Sequence, residues 1–502
     1  MTLSKLMRGD SIQLFRACAF MPALAIGART SSAQTTPSQV QAEIDAVFSG
    51  LSFPIELTDR DPLRMAVADR MSFHRVPGVT VAVVRNGRLH WTQGRGVRAA
   101  GQPDPVTADT LFQAASISKP VVALATLRLV ERGDLPLDGP VNEHLTSWAI
   151  PANEFTNEQD VTLRQLLAHS GGTTNSAVGI YGPDEPLPTL LQALDGLPPS
   201  KRPPVRVDFV PGSRWRYSGG GYSILQQLLA DVTGQSFPEF MEALVLAPAG
   251  MQASGYYQPL PDHLAATSAA GHDGQGATIR GRWWTLPEMA AGGLWTTAPD
   301  LGRFIIALCA AYQGEPGALL GRETAREMMR HQIGGWGLGL AVDDVDGERR
   351  VSHTGSNDGY RAVFVALPAR GDGIAILTNG DRGDSLRTEI LQAAARVYEW
   401  PGYETERRSP VTIDPPVLRE LAGRYDYGGG FATIVRLDGH RLVAQLNDGP
   451  AYELYATSGS DYFTLSGTGY RFERDDTGAV VAVLANLGTG RPLRGVRIRE
   501  QD

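Results

Sequence analysis

The tetrapeptide Ser116-Ile117-Ser118-Lys119 carries the chain's most suggestive pairing of a nucleophile with a base. It follows the extended run Thr110-Leu-Phe-Gln-Ala114 and opens the segment Pro120–Gly133, which reads as a helix. On a helix, positions i and i+3 are neighbours on one face, so the Ser116 hydroxyl and the Lys119 amine are placed to meet. Pro120 is tolerated there because the first helical turn has N–H groups without helical partners. A serine is a weak nucleophile without a base. Lys119 supplies one if burial brings its pKa from about 10.4 towards 7. The helix start also aims backbone donors outward, and the N–H of Ser116 is placed to face a substrate oxygen. An ordinary helix cap beside a solvated lysine has the same four residues, so the motif needs company.

Two distant segments supply it. Arg214-Trp-Arg-Tyr217-Ser218-Gly219-Gly-Gly-Tyr222 puts a tyrosine before a glycine-rich turn and a helix. Val351-Ser-His353-Thr354-Gly355-Ser356-Asn357 precedes the strand Ala362–Leu367. Competing chemistries lack support. The nine histidines are scattered without His-Glu-x-x-His, and the two cysteines, Cys18 and Cys309, cannot frame a zinc site. There is no phosphate-cradling glycine loop, and no Gly-x-Ser-x-Gly nucleophile elbow. Neither a metal nor a cofactor is expected.

In this order, Ser-x-x-Lys, Tyr-Ser-Gly and His-Thr-Gly resemble the three motifs of the serine β-lactamase and penicillin-binding-protein superfamily. The pattern is most similar to its class C and S12-peptidase branch. Leu166-Leu-Ala-His-Ser-Gly-Gly172, Gly292-Gly-Leu-Trp-Thr-Thr-Ala-Pro-Asp-Leu301 and Gly335-Trp-Gly-Leu-Gly339 extend the resemblance over roughly residues 40 to 400. It implies that Ser116 is the nucleophile of an acyl-enzyme and that Lys119 and Tyr217 share general-base and general-acid duty. It places His353 where lysine usually stands, beside the substrate's carboxylate or leaving group. The N–H groups of Ser116 and Ser356, with Gly355 between motif and strand, would hold the oxyanion, each worth on the order of 3 kcal/mol. Gly219 would border the substrate where many relatives carry asparagine. A neutral His353 and a side-chain-free Gly219 both weigh against β-lactamase activity while leaving acyl transfer intact. His169 reads as a structural loop former and Trp295 as core. Burial and a nearby cation should depress Lys119, and the cation should lower Tyr217 as well.

These residues need a scaffold. Strands are expected at Val79–Val84 and Arg88–Thr92 around the Asn86-Gly87 turn, and again at Ala362–Leu367 and Gly373–Thr378. Helices are expected over 120–133, 163–169, 222–233, 238–246, 299–312 and 385–399. Strands at both ends with helices between predict an α/β (α+β) fold: one antiparallel sheet with a helical insertion, in the β-lactamase manner. The loops 174–202 and 254–289 should shape the pocket. Trp283-Trp284-Thr-Leu-Pro-Glu288 would either line the cleft or pack beneath it.

The domain division follows texture. Residues 1–33 look like a signal peptide: Lys5, Arg8 and Arg16 precede an apolar stretch, with Ser31-Ser32-Ala33 as the cleavage site. Residues 34–400 form the hydrolase region, 401–416 a proline-punctuated linker, and 417–502 an all-β tail. The tail's short strands recur about every ten residues, which predicts a small up-and-down barrel or sandwich. It resembles the lipocalin-like appendage of some S12 peptidases and should dock beside the cleft. A net charge of −8 argues against nucleic acid, and the apolar stretches are too short for stable membrane insertion.

The expected protein is therefore an exported, periplasmic or secreted serine hydrolase, with a cytoplasmic location as the alternative. It should cleave amide bonds of small or linear peptides, and a peptidase degrading linearised microcystins is one compatible kind. A carboxylesterase or weak β-lactamase is the same-class alternative. A catalytically silent peptide- or cell-wall-binding protein on this fold is the other.

Overall fold

The computed structural model describes residues 36–175, 177–487 and 491–498. The leader expected at 1–33 lies outside them, as does Arg499 at the end of the last expected strand.

In chain order the strands of the hydrolase region are β1 (Ile55–Leu57), β2 (Gly78–Arg85), β3 (Arg88–Gly96), β4 (Phe112–Ala115), β5 (Leu294–Thr296), β6 (Ala341–Val345), β7 (Glu348–Asn357), β8 (Tyr360–Leu367), β9 (Asp372–Thr378) and β10 (Glu406–Arg408). Six of them form one antiparallel sheet in the order β3-β2-β9-β8-β7-β6. Early and late segments thus meet in one sheet, with the helical insertion between, as the patterning predicted. Side chains alternate across each strand, so both faces need cover. Val79, Val81 and Val83 of β2 face one core with Ile374 and Ile376, covered by the helices Pro37–Ser49 and Gly383–Tyr398. Ala82 and Val84 face the other with Phe364 and Leu377, beneath the helices Ser118–Arg132 and Ala298–Gln313. These strands read as nearly continuous apolar runs because they are buried on both sides.

One local element lacked an assignment in the sequence pattern, and one differs from it. Residues 348–357 are strand β7, hairpinned to β8, although its tail, His353 to Asn357, is polar and carries no apolar signature of a strand. Gly219–Gly221 are no turn but the first turn of the helix Gly219–Thr233, capped by the Ser218 hydroxyl, which accepts from Gly221 N–H at 3.0 Å.

The segment 401–416 is more than a linker. It contributes β10, which pairs in parallel with β1, and the start of the helix Pro415–Leu421. Beyond it, β11 (Gly423–Gly428), β12 (Phe431–Asp438), β13 (Arg441–Leu446), β14 (Ala451–Ala456), β15 (Asp461–Phe463), β16 (Gly469–Arg474), β17 (Val480–Ala485) and β18 (Leu493–Ile498) close an up-and-down barrel. Leu418 and Leu421 of the short helix join its apolar core. The barrel docks through Phe463 on Ile55 and Leu57, and through the edge-on pair of Tyr452 with Phe73 at 5.6 Å.

Candidate active site

Strand β4 ends at Ala115, whose φ of +50° is left-handed and strained for a residue with a Cβ. The chain turns there from strand to helix, and Ser116 follows immediately. Ser118 fastens the bend: its hydroxyl donates to Ala115 O at 2.6 Å and accepts from Leu294 N–H of β5 at 3.0 Å. Ser116 thus sits at a braced corner, lining a cavity of about 480 Å³.

Lys119 lies one turn along the helix and is only 2% exposed. Its Nζ stands 3.0 Å from Ser116 Oγ and donates to the Ala291 carbonyl at 2.5 Å. No carboxylate pairs with it among the described residues. Burial without a counter-charge disfavours the ammonium and brings its pKa down to about 7. Near neutral pH a large share of the amine is therefore unprotonated, with its lone pair available to the serine proton.

Tyr217 keeps an edge on the cavity and is otherwise enclosed. Its ring lies 4.9 Å from Lys119 Nζ. Burial pushes its phenol well above the usual tyrosine range, only partly offset by a hydrogen bond with Ser116. The expected net lowering by a neighbouring cation does not occur, because desolvation of the phenolate dominates. Tyr217 is consequently a phenol with a proton to give, while Lys119 is the group able to take one.

Two neutral histidines flank it. His353 Nδ1 lies 2.6 Å from Thr354 O, and a carbonyl can only accept, so this nitrogen carries the proton. Burial and the nearby Lys119 bring the imidazole down to about 3, leaving Nε2 as a bare acceptor. His169, at φ +59°, accepts the Ser218 N–H on Nδ1 at 3.1 Å and lies 4.3 Å from the Tyr217 ring. It positions Tyr217 from behind, as a loop former would. Trp336 completes the nest, 5.3 Å from His353 and stacked on Trp215 at 5.8 Å.

The oxyanion donors follow from register. The two-residue turn Asp358-Gly359 makes Asn357 and Tyr360 the closing, hydrogen-bonded pair of the β7–β8 hairpin. Bonded and unbonded pairs alternate, so Ser356, opposite Arg361, points its N–H away from β8. That edge is free because β6 pairs with β7 only as far as Ser352. Gly355 permits the approach: a Cβ there would lie 2.1 Å from Ala114 O. Ser116 N–H and Ser356 N–H can therefore share one oxygen.

Ser116, Lys119, Tyr217, Gly219, His353 and Ser356 all border the same cavity, and Gly355 lies between the last two. A Cβ on Gly219 would touch Val178 at 3.4 Å, so a wall of Asn175, Ala177 and Val178 fills the space that a longer side chain would claim. The loop 174–202 does line the cavity, through Ala177, Val178, Ile180 and Arg202, whereas 254–289 does not. Trp283 and Trp284 pack beneath: Trp283 sits edge-on to buried Trp295, and Trp284 O accepts from Gln113. Glu288, 5% exposed, accepts the Gly179 N–H and so pins that wall; its burial raises its pKa. The barrel contributes no residue to this lining. Sequence reasoning missed the Ala291 carbonyl, a backbone group with no signature. Trp336 was visible in Gly335-Trp-Gly-Leu-Gly339 without a role. Among the described residues no cluster of three or more His, Cys, Asp or Glu could hold a metal, and no helix is long and apolar enough to cross a membrane.

Residues 63–399 match the family Beta-lactamase. Penicillin-binding protein 4 of Amycolatopsis lactamdurans is 28% identical over 381 residues, covering 71% of this chain and 95% of its own. Esterase EstB of Burkholderia gladioli is 30% identical over 324 residues, covering 61% of this chain and 73% of its own. Two solved structures share the fold. The octameric penicillin-binding protein homologue from Pyrococcus abyssi aligns with a TM-score of 0.59 at 23% identity, over 86% of this chain and 98% of its own. The D-amino acid amidase from Ochrobactrum anthropi aligns with 0.54 at 20% identity, over 71% and 98%.

Proposed function

Because the chain belongs to the Beta-lactamase family of serine hydrolases, we propose that it cleaves amide bonds of small or linear peptides through an acyl-Ser116 intermediate. The observation that carries this reading is the 3.0 Å contact between Ser116 Oγ and a buried Lys119 amine brought down to about 7. Ser116 Oγ attacks the carbonyl carbon and its proton passes to Lys119 Nζ. The resulting oxyanion is held by Ser116 N–H and Ser356 N–H. Collapse breaks the carbon–nitrogen bond, and the departing amine takes the Tyr217 proton, which Lys119 restores. Water then repeats the sequence on the acyl-enzyme, freeing the acid and Ser116. Linearised cyclic peptides such as microcystins are among the substrates this scheme admits.

Relatives named as an esterase and an amidase support both bond types. A second reading, carboxylesterase, draws on His353: being neutral, it offers no cation to a leaving-group carboxylate, so a simple alcohol departs as readily. The basic-then-apolar leader supports export to the periplasm or medium, and N-terminal sequencing of the exported protein should begin at Gln34. Labelling with an active-serine phosphonate, read by peptide mass spectrometry, should modify Ser116 and vanish in Ser116→Ala. Label retained elsewhere in that variant would overturn the nucleophile.

A further inference from the structure

The cavity has two ends along β7. His353 and Asn357 are four residues apart, roughly 13 Å in an extended strand, with the Ser356 N–H between them. Tyr217, which must protonate the leaving atom, lies 6.2 Å from His353 and 5.7 Å from Trp336. The leaving group therefore occupies the His353 end. The acyl group extends toward Asn357, where Val178 also closes in: a Cβ on Gly292 would meet both within 4 Å.

Arg202 stands at this acyl end. Its Nε donates to Val178 O at 3.1 Å, which holds the guanidinium in place while its two terminal nitrogens form no ion pair within 4 Å among the described residues. Lys119, at about 7, loses its charge across neutral pH and His353 is neutral, which leaves Arg202 as the permanent cation of the described lining. Glu288 lies near: one of its oxygens accepts the Gly179 N–H and the other has no hydrogen-bond partner. Arg202 acts on this carboxylate through charge alone, with no ion pair between them. Asp358, exposed in the same lining, has no ion pair among the described residues and repels anions that stray from Arg202.

We propose that Arg202 selects acyl groups that end in a carboxylate. The inference rests on the acyl-Ser116 reading above. A guanidinium presents paired donors that match a carboxylate in its own plane, a fit that neither a lysine nor a neutral side chain reproduces.

Two esters of similar length test it: p-nitrophenyl butyrate and mono-p-nitrophenyl glutarate, which differ by a terminal carboxylate. The quantity read is the ratio of kcat/KM, glutarate over butyrate. It should exceed one in the wild type, fall at least about tenfold in Arg202→Met, lie between the two in Arg202→Lys, and rise in Asp358→Asn. In the unmutated enzyme it should also fall as salt is raised, a readout independent of any variant's folding. A ratio unmoved by both Arg202→Met and salt would overturn the proposal, even if both rates dropped together. Ser116→Ala separates the two readings. If it still hydrolyses both esters, or the wild type hydrolyses neither, the acyl-enzyme reading fails and this inference with it; if Ser116→Ala is dead and the ratio does not move, only the role of Arg202 fails.

Discussion

The floor beneath Ser116 and the interior of the C-terminal barrel are both buried, and they are built on opposite terms. The barrel core is mostly aliphatic and aromatic, and Tyr425 donates its hydroxyl to Leu421 O at 2.7 Å, although Tyr462 keeps a hydroxyl without a partner. Its charges pair outside, as Arg471 with Asp461 and Arg494 with Glu473. The site floor instead buries an amine without a counter-ion and two imidazoles whose Nε2 atoms have no partner. A strained Ala115 stands at its edge. Desolvated polar groups cost stability, and in the hydrolase region this cost falls on residues that face the reaction. The barrel is arranged to fold, while the floor is arranged to react.

The sharpest way to break this contrast is to restore a permanent charge to the floor. Lys119→Arg keeps a cation that does not deprotonate in proteins, so Ser116 loses its base. Acylation should fall at least about 100-fold, measured as the burst of p-nitrophenol from an activated ester. A near-normal burst at neutral pH would move the base elsewhere, with Tyr217 the first place to look. The wild-type pH profile makes the same point more gently. With Lys119 at about 7, kcat/KM should drop close to tenfold for each pH unit below about 6 and level off above about 8. A profile flat from pH 5 to 8 would contradict a lysine base.

Sequence patterning could reach much of this. The strand pairs flanking the hydrolase region were legible because both faces of β2, β8 and β9 are buried and apolar. Ser116 and Lys119 were legible because they act from one local turn. β7 was harder, since its polar tail, His353 to Asn357, faces the cleft instead of a core. The first barrel strand, β11, was harder to read as well, since it mixes Arg424, Tyr425, Asp426 and Tyr427 with glycines and shows no clean alternation. The depression of Lys119 and elevation of Tyr217 depend on how completely distant segments enclose them, which no local pattern encodes. The same holds for the Ala291 carbonyl.

Stability should report the contrast with the opposite sign. Lys119 is held near 7 in the folded chain and titrates near the ordinary lysine value of 10.5 when unfolded. The unfolded state therefore binds more protons between those values, and stability rises with pH across that window. Below about 7 the full penalty stands, on the order of several kcal/mol before the hydrogen bonds to Ser116 and Ala291 are counted. Lys119→Met removes the penalty and leaves the Ala291 carbonyl short of a donor. The inactive variant should be more stable by about 1–3 kcal/mol in denaturant melts at pH 6.5, with the gain shrinking towards pH 10. A destabilised Lys119→Met at pH 6.5 would show that the buried amine is well solvated after all.

The smallest effect should come from the barrel. No barrel residue lines the Ser116 cavity, and the docking contacts run through Phe463 on Ile55 and Leu57, Tyr452 on Phe73, and Arg382 Nη2 donating to Asp448 O at 2.9 Å. None of these contact residues lines the cavity, yet each covers surface that the hydrolase region would otherwise expose. Ending the chain after Pro410 keeps β10 on β1 and removes the barrel whole. The melting temperature should fall, because Ile55, Leu57 and Phe73 lose their cover. In the fraction that remains folded, kcat/KM for a small neutral ester should stay within about threefold, a change under 1 kcal/mol in barrier. Phe463→Ala in the intact chain should shift stability the same way by less, with the ester rate again preserved. Should a folded truncation instead lose ester hydrolysis and phosphonate labelling together, the division drawn here would be wrong: the barrel would be holding the Ser116 corner in shape, and the reactive floor would extend its supports across both domains.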